Sequence, residues 1–336
     1  MNRYISDKLT VLSTVLIIMV VYVHSSYSEA EQYTVAKIIQ DYTSRLCGIA
    51  NCLFFCISGY LFARDITSYK DILIKIKKRV RTLLIPYVLW NIIFVLWYIV
   101  LESIPGVNGF CNGSGTLDKY VSQSIIESMN DLFVSPAAFQ LWFLRDLLIM
   151  MIFTPVFWWL SKNIGWLALL IAGISTLVYP WLLYFWVGIF LSTKKIDIYD
   201  YWRPTWFVIF CALVFSGYAV CMEVGMKNFS IIGSLVDLIG LYAVWTLYDI
   251  LTNREQIAGK GLWKYISGYS FFIYCFHEPT FNIVKKLAIA VFGVHEFSLI
   301  FFYYINPWIM VFIAIYVAKT LQHIMPLVYN TLMGGR

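Results

Sequence analysis

Stretches of about 20 apolar residues recur along the whole chain, and they limit the folds that it can adopt. A helix of that length spans the hydrocarbon core of a bilayer. The chain is 60% hydrophobic and only 13% charged, with a mean hydropathy of +0.73, whereas soluble domains average about 25% charged residues. We therefore predict an all-α fold, a polytopic membrane helical bundle that forms a single domain over residues 1–336.

The apolar runs predict about ten transmembrane helices, at 9–25, 46–63, 83–102, 140–160, 163–180, 181–193, 204–222, 229–251, 265–281 and 299–320. Lys and Arg set their orientation, because cytoplasmic loops carry these residues in excess. With both termini cytoplasmic, most of the 25 Lys and Arg lie on the cytoplasmic side, and the exceptions are Lys37, Arg45, Lys119, Arg145, Lys227, Lys285 and Lys286.

His24 closes the first apolar run and is followed by two serines. A titratable side chain in a membrane helix is costly, so it is usually paired, placed in a water-filled cavity, or functional. A helix that enters the membrane near Leu9 carries His24 roughly 22 Å inward, past the middle of a core about 30 Å thick. His24 is either a general base at that depth or an interfacial residue at a helix end, and both interpretations stay open here.

Other polar residues gather near the predicted outer face. His277, with Glu278 beside it, ends the ninth predicted helix, and Arg45 and Arg145 lie at the heads of the second and fourth. Each arginine either extends to the interface or holds a substrate oxygen.

Asp237 lies deep enough in the eighth predicted helix to need a partner. Small and polar residues that favour close helix packing are Asn51, Ser58, Gly59 and Asn91.

Two loops have distinctive composition. The inner loop 64–82 interleaves apolar residues with Lys75, Lys77, Lys78, Arg79 and Arg81. This pattern fits a basic amphipathic helix on anionic lipid, and it also fits cations that bind the phosphates of a cytosolic donor. The outer loop 103–139 is the longest polar segment and is long enough to cover a site as a lid.

Several functional classes find no support in the sequence. The seven cysteines are scattered, which favours apolar packing over a disulfide framework or a metal site. Phosphate-binding Gly loops, Gly-x-Ser-x-Gly and His-Glu-x-x-His are absent, and the net charge of +6 does not indicate nucleic-acid binding. The residues alone fit a membrane-embedded transferase and a transporter equally well.

Five segments in order resemble acyltransferase family 3, the integral-membrane acyltransferases that act on surface polysaccharides and related acceptors. They are Val-Val-Tyr-Val-His-Ser (20–25), Leu-Phe-Phe-Cys-Ile-Ser-Gly-Tyr-Leu-Phe (53–62), Lys-Lys-Arg-Val-Arg-Thr-Leu-Leu-Ile-Pro-Tyr-Val-Leu-Trp-Asn (77–91), Leu-Trp-Phe-Leu-Arg-Asp-Leu (141–147) and Tyr-Ser-Phe-Phe-Ile-Tyr-Cys-Phe-His (269–277). The resemblance covers nearly the whole chain. It implies ten core helices in a bacterial inner membrane and a membrane-bound O-acyltransferase.

The resemblance also implies a set of site residues. His24 matches the essential histidine of the family. Lys78, Arg79 and Arg81 match the basic motif to which a role at the acyl donor is assigned, although this chain has Lys-x-x-Arg where the family has Arg-x-x-Arg. At Ser13 the family commonly has Arg or Lys; either Lys8 substitutes for that charge from elsewhere, or the role is missing in this chain.

The predicted reaction moves an acyl group, acetyl or a larger one such as succinyl, from cytosolic acyl-CoA to a hydroxyl of a carbohydrate or lipid-linked glycan. The partners are therefore acyl-CoA, the acceptor and membrane lipid, with no tightly bound cofactor and no metal. His24 would act as general base, and Arg145, Arg45, His277 and Glu278 would bind the acceptor. An acyl-histidine intermediate stays open. The alternatives are a transporter or flippase for such a glycan precursor and a structural partner in an envelope complex.

Overall fold

A computed structural model describes residues 3–104, 119, 122–196, 204–223, 230–253, 255 and 261–335. The structure is 85% helical, and the described residues form no strand. The helices are α1 (Arg3–Val23), α2 (Thr34–Ala63), α3 (Tyr69–Arg79), α4 (Ile85–Ser103), α5 (Ile125–Phe133), α6 (Trp142–Asn163), α7 (Leu167–Ser175), α8 (Trp181–Thr193), α9 (Thr205–Glu223), α10 (Ser230–Leu251), α11 (Leu262–Ser267), α12 (Ser270–Phe292), α13 (Glu296–Ile324) and α14 (Pro326–Leu332).

The predicted all-α polytopic membrane bundle is confirmed. Seven helical segments of the described chain are long and apolar enough to cross a membrane: Arg3–Val23, Thr34–Ala63, Tyr69–Ser103, Phe139–Asn163, Thr205–Glu223, Ile231–Leu251 and Glu296–Ile324. Trp181–Thr193 is a shorter apolar helix. Each of the ten predicted helices has a counterpart. The cytoplasmic location of both termini stays a prediction.

Two predicted boundaries were wrong by more than ten residues. The second helix was expected from residue 46, but α2 begins at Thr34, where Glu296 accepts hydrogen bonds from the backbone N–H groups of Val35 and Ala36. Polar residues in 34–45 lower the hydropathy without preventing a helix. The ninth helix was expected to end at 281, but α12 continues to Phe292 beyond a break at Glu278. His277 therefore lies at the end of the first helical part of α12, directly before the break, and not at the end of the whole helix.

The basic loop 64–82 contains α3, as the amphipathic pattern predicted. The Asp71 carboxylate accepts hydrogen bonds from the backbone N–H groups of Thr67 and Ser68, at 3.0 and 2.9 Å, and so caps the start of α3. Leu73 and Ile74 are exposed beside the basic residues. A π-helical turn, Val80–Leu84, joins α3 to α4. Contact of α3 with the membrane surface stays a prediction.

The described contacts divide the chain into two compact units that alternate along the sequence. The first comprises 1–23, 38–76 and 150–268, where α1 packs with α11, α7 with α8, and α9 with α10. The second comprises 24–37, 77–149 and 269–336, where α12 packs with α13, α13 with α14, and α4 with both α5 and α14.

Within the first unit, two glycines bring α2 and α8 into backbone contact. A Cβ atom at Gly59 would overlap the carbonyl oxygen of Phe185, and one at Gly188 would overlap that of Cys56. Small residues permit such approach between membrane helices. The close packing predicted from Gly59 is therefore confirmed, and it is reciprocal.

We predict that Gly59→Ala and Gly188→Ala each lower the free energy of unfolding by roughly 1–3 kcal/mol, because the added methyl groups meet backbone atoms that cannot rotate away. Gly48→Ala is the matched control, because Gly48 also lies on α2 but has open space around its Cβ position. Thermal unfolding of the purified variants in detergent measures the effect. Equal midpoints for all three variants would contradict the packing argument.

A buried ion pair joins α1 to α10 in the first unit. The Lys8 ammonium lies 2.9 Å from both carboxylate oxygens of Asp249, and the Tyr4 hydroxyl donates to the same carboxylate at 2.5 Å. Lys8 also lies over the Trp245 ring, 3.9 Å from its centroid. The side chains of Lys8 and Asp249 are 1% and 3% exposed. The Asp249 carboxylate therefore holds Lys8 in place, whether or not Lys8 also substitutes for the cation that the family commonly has at position 13.

Asp237, which lies in the eighth predicted helix and was expected to need a partner, also has one. The Tyr184 hydroxyl of α8 donates to the Asp237 carboxylate of α10 at 2.7 Å. This bond lies within the first unit and satisfies one oxygen of a carboxylate inside a membrane helix.

We predict that Lys8→Met costs roughly 3–5 kcal/mol of folding free energy, because it leaves the Asp249 charge buried without its counter-ion. The double variant with Asp249→Leu should recover most of the loss. Lys37→Met is the control, because Lys37 and Glu31 form an exposed pair of a kind worth less than about 1 kcal/mol. The readout is the thermal midpoint in detergent, and a double variant no more stable than Lys8→Met would refute the explanation.

Candidate active site

His24 is the first residue after α1, and the turn that carries it is fixed at several points. The Ser25 hydroxyl donates to the Tyr303 carbonyl at 2.7 Å, and the Asn306 amide donates to the Tyr27 hydroxyl at 2.5 Å. Tyr303 and Asn306 lie roughly 10–15 Å along α13 from its start. The His24 turn therefore packs against the body of α13 within the second unit, and its depth in the membrane stays a prediction.

Lys285 of α12 binds this turn directly. Its ammonium donates to the backbone carbonyls of His24 at 3.0 Å and Ser26 at 3.3 Å. The same ammonium lies 5.5 Å from the centroid of the Phe281 ring. A non-helical turn exposes carbonyls that would otherwise lack donors inside the membrane. Lys285 supplies those donors and fixes the backbone position of His24.

His277 faces His24, with 5.1 Å between the ring centroids. It is fully buried, and its Nδ1 lies 2.8 Å from the Tyr274 carbonyl and 3.2 Å from that of Ile273. Carbonyl oxygens only accept, so Nδ1 carries the proton. Nε2 is then the basic nitrogen of a neutral ring, and it has no hydrogen-bond partner among the described residues. Two imidazoles therefore lie together, one with an unused acceptor atom.

The break in α12 next to His277 follows from the sequence Glu278-Pro279. The residue before a proline is displaced from helical geometry, and Glu278 has φ −105° and ψ 142°. Proline has no N–H group to give to the carbonyl four residues earlier, which is that of Cys275. Gln140 replaces the missing donor: its amide donates to Cys275 at 2.8 Å and also to the Glu278 carbonyl.

The break also changes the surroundings of the Glu278 side chain. Its carboxylate accepts a hydrogen bond from the Asn282 amide at 3.2 Å. Phe139, which precedes Gln140 in a short 3-10 turn, packs edge-on against His24 with 5.9 Å between the ring centroids. The cluster at the site therefore consists of His24, Phe139, Gln140, His277, Glu278, Asn282 and Lys285, all within the second unit.

The two arginines predicted to bind the acceptor have other contacts. Arg145 donates to the Asp146 carboxylate at 2.7 Å and to the Val134 carbonyl at 2.6 Å, and its side chain is 26% exposed. Arg45 belongs to the first unit, where its guanidinium pairs with Glu223. The structure thus brings His277 against His24, places Glu278 at the break next to His277, and gives each arginine a carboxylate partner.

The three cations predicted to hold the acyl donor lie where α3 meets α4. Lys78 and Arg81 are exposed, Arg79 is half-buried, and Arg81 lies in the π-helical turn. Residues 105–118, 120 and 121 of the predicted outer loop lie outside the described residues, so the lid hypothesis is not addressed. The described residues contain no cluster of three or more His, Cys, Asp or Glu that could hold a metal ion.

Sequence reasoning missed Gln140 and Lys285. Gln140 directly precedes the quoted segment 141–147, and a polar residue before that apolar run was the available signal. Lys285 was counted only as a cation on the outer side, although it lies inside an apolar run that continues to Phe292. Both contact backbone carbonyls, and those contacts depend on the break in α12.

The helical bundle and its histidine pair define a polytopic membrane protein with a buried polar site. A family model described as an acyltransferase domain, Acyl_transf_3, matches residues 7–319 of the 336. The chain therefore belongs to acyltransferase family 3, and it is a membrane acyltransferase. No curated protein and no solved structure gives a significant match.

We predict that Gln140→Leu destabilises the protein by roughly 1–3 kcal/mol, because two carbonyls at the break in α12 lose their donor where no water replaces it. Gln322→Leu, at an exposed position of α13, is the control and should leave the thermal midpoint within experimental error. Thermal unfolding in detergent tests both variants. A Gln140→Leu protein as stable as the wild type would show that the amide does not support the break.

Proposed function

We propose that this acyltransferase moves an acyl group, acetyl in the first instance, from cytosolic acyl-CoA to a hydroxyl of a cell-surface carbohydrate or its lipid-linked precursor. The observation that carries the proposal is the pair His24 and His277, with the buried Nε2 atom of His277 lacking a partner. A buried acceptor atom without a donor is costly. A substrate hydroxyl or an N–H of His24 would satisfy it.

His24 acts as the general base in this proposal. It removes the proton of the acceptor hydroxyl while that oxygen attacks the thioester carbonyl. The new bond joins the acceptor oxygen to the acyl carbon, the carbon–sulfur bond breaks, and the CoA thiolate leaves and takes up the proton from His24. General-base assistance is typically worth 10²–10⁴-fold in rate. Lys285 keeps the base in place through its bonds to the carbonyls of His24 and Ser26.

The remaining site residues bind the acceptor. His277 offers Nε2 to a hydroxyl or to the His24 ring, and the Glu278 carboxylate takes a second hydroxyl beside its Asn282 contact. Arg145 serves the acceptor or the developing oxyanion, because a guanidinium presents several donors in a fixed geometry. It would do so while Asp146 balances its charge. The same role for Arg45 stays a prediction from the sequence.

The acyl donor binds at the basic segment that joins α3 and α4. Lys78, Arg79 and Arg81 lie within four residues of one another and are exposed or half-buried, so they suit the phosphates of CoA. The thioester arm would extend from these phosphates toward the histidines. CoA is thus a substrate in the proposal, and no cofactor is tightly bound.

Membership of an acyltransferase family favours transfer over the transporter or flippase alternative. The candidate spans support a multi-pass membrane protein. We place it in a bacterial inner membrane, where cytosolic acyl-CoA and an envelope glycan are both accessible from one membrane. This location belongs to the proposal.

His24→Ala should abolish transfer of label from radiolabelled acetyl-CoA to the glycan of the host membranes. The experiment compares vesicles that carry the wild type, His24→Ala or His323→Ala at equal protein amounts. His323 is exposed near the end of α13, so His323→Ala removes the same chemical group outside the site and should retain activity. The expected loss for His24→Ala is on the order of 10²–10⁴-fold.

Each outcome has a distinct meaning. Transfer that persists in His24→Ala would refute the role of the histidine while leaving the acyltransferase assignment intact. Absence of label with the wild type, repeated with succinyl-CoA, would refute the proposed donor. Thermal midpoints close to that of the wild type in both variants would show that a loss of transfer is chemical and not structural.

A further inference from the structure

Helix α5 runs alongside α4 in the opposite direction. The Asn91 amide donates to the Asp131 carbonyl at 3.1 Å, and the Tyr87 hydroxyl donates to the Phe133 carbonyl at 3.3 Å. The later residue of α5, Phe133, contacts the earlier residue of α4, Tyr87, so the two helices run antiparallel. Asn91 and Tyr87 lie inside the candidate span Tyr69–Ser103. The C-terminal end of α5 therefore lies beside the body of a membrane helix.

Side chains supply partners to the backbone where α5 ends. Besides the bonds to Asp131 and Phe133, Arg145 donates to the Val134 carbonyl at 2.6 Å, and the Asn91 side-chain oxygen accepts from the Ala138 N–H at 3.2 Å. The last carbonyls of a helix have no partner within the helix. In water such groups need no protein donor, whereas inside a bilayer each requires one. The end of α5 has the bonding of a segment that terminates within the membrane.

One face of α5 is apolar and is left exposed by the part of the chain that the structure describes. Ile125 and Ile126 are each 80% exposed, Met129 53% and Phe133 43%. Exposure of this kind is expected of a face that meets lipid, and it is unusual for one that meets water. Glu127 and Asn130 are also exposed, and they lie next to this face, roughly 100° and 40° around the helix from Ile126.

Helix α4, which packs against α5, also has exposed apolar side chains. Exposed residues of α4 at the same level are Ile92, Ile93, Leu96 and Trp97. The Tyr69–Ser103 segment is a candidate span of which only a third is buried, so most of this surface is available to lipid. Both helices of the second unit thus carry apolar side chains that the described residues leave exposed.

We propose that α5 is a re-entrant helix whose apolar face, Ile125, Ile126, Met129 and Phe133, contacts the acyl chains of membrane lipid while Glu127 and Asn130 face water. The occupant of the face is the lipid bilayer. Only residues 134–138 separate α5 from the turn whose Phe139 packs against His24. The segment that meets lipid is therefore continuous with the candidate site, although the proposal does not depend on acyl transfer.

Paired spin labels test the proposal on the full-length protein in phosphatidylcholine nanodiscs. The seven native cysteines are first replaced. Nitroxides are then attached at Ile126→Cys and Met129→Cys on the apolar face, and at Glu127→Cys and Asn130→Cys on the polar strip beside it. Leu96→Cys on α4 is the lipid-facing reference. Collision with oxygen, which concentrates in lipid, is compared with collision with a water-soluble nickel chelate.

Labels at positions 126 and 129 should resemble the label at 96 and collide with the nickel chelate several-fold less than those at 127 and 130. Nickel accessibility that is equal at the two pairs of positions would overturn the proposal. The reaction of each unlabelled cysteine with a membrane-impermeant maleimide is the second measurement, because it does not require a bound label. It should be fast at 127 and 130 and slow at 126 and 129, and the reverse order would also overturn the proposal.

Discussion

A bilayer offers no water to its interior, so each backbone N–H and C=O group at that depth needs a partner from the protein. This constraint explains the polar side chains around the candidate site. Helices satisfy it by themselves, but the chain leaves helical geometry after α1, after α5 and at Glu278. At these three places the donors are side chains: Lys285 for the His24 turn, Asn91 for the end of α5, and Gln140 for the break in α12.

The same bonds gather the groups that chemistry requires. The break in α12 follows from a proline, and it is adjacent to His277, whose Nδ1 is committed to backbone carbonyls and whose Nε2 is not. The turn after α1 brings His24 to that ring. A polar site can thus form where a helix is interrupted. The polar side chains that bond the free backbone groups at the interruption already provide polar surroundings in an otherwise apolar bundle.

Much of this arrangement was predictable from the sequence, and the reason differs from part to part. Apolar runs of sufficient length specify membrane helices directly, so the helical bundle was predicted, and each of the ten predicted segments contains a helix, of which seven correspond to candidate spans among the described residues. The extension of α12 beyond 281 was not, because the interruption at Pro279 hides a helix that resumes. His24 and His277 attract attention as rare titratable residues in apolar segments. Gln140 and Lys285 escaped notice, since their importance depends on which carbonyls lack partners, and only the folded backbone determines that.

The 3-10 turn Phe139–Leu141 has a consequence for how the site can vary among related sequences. Two consecutive residues there serve different neighbours: Phe139 packs on the ring of His24, and Gln140 ties the carbonyls on either side of His277. A displacement of this turn would alter the surroundings of both imidazoles at once. Insertions or deletions between α5 and α6 should therefore be selected against far more strictly than changes in side-chain size along the lipid-facing helices.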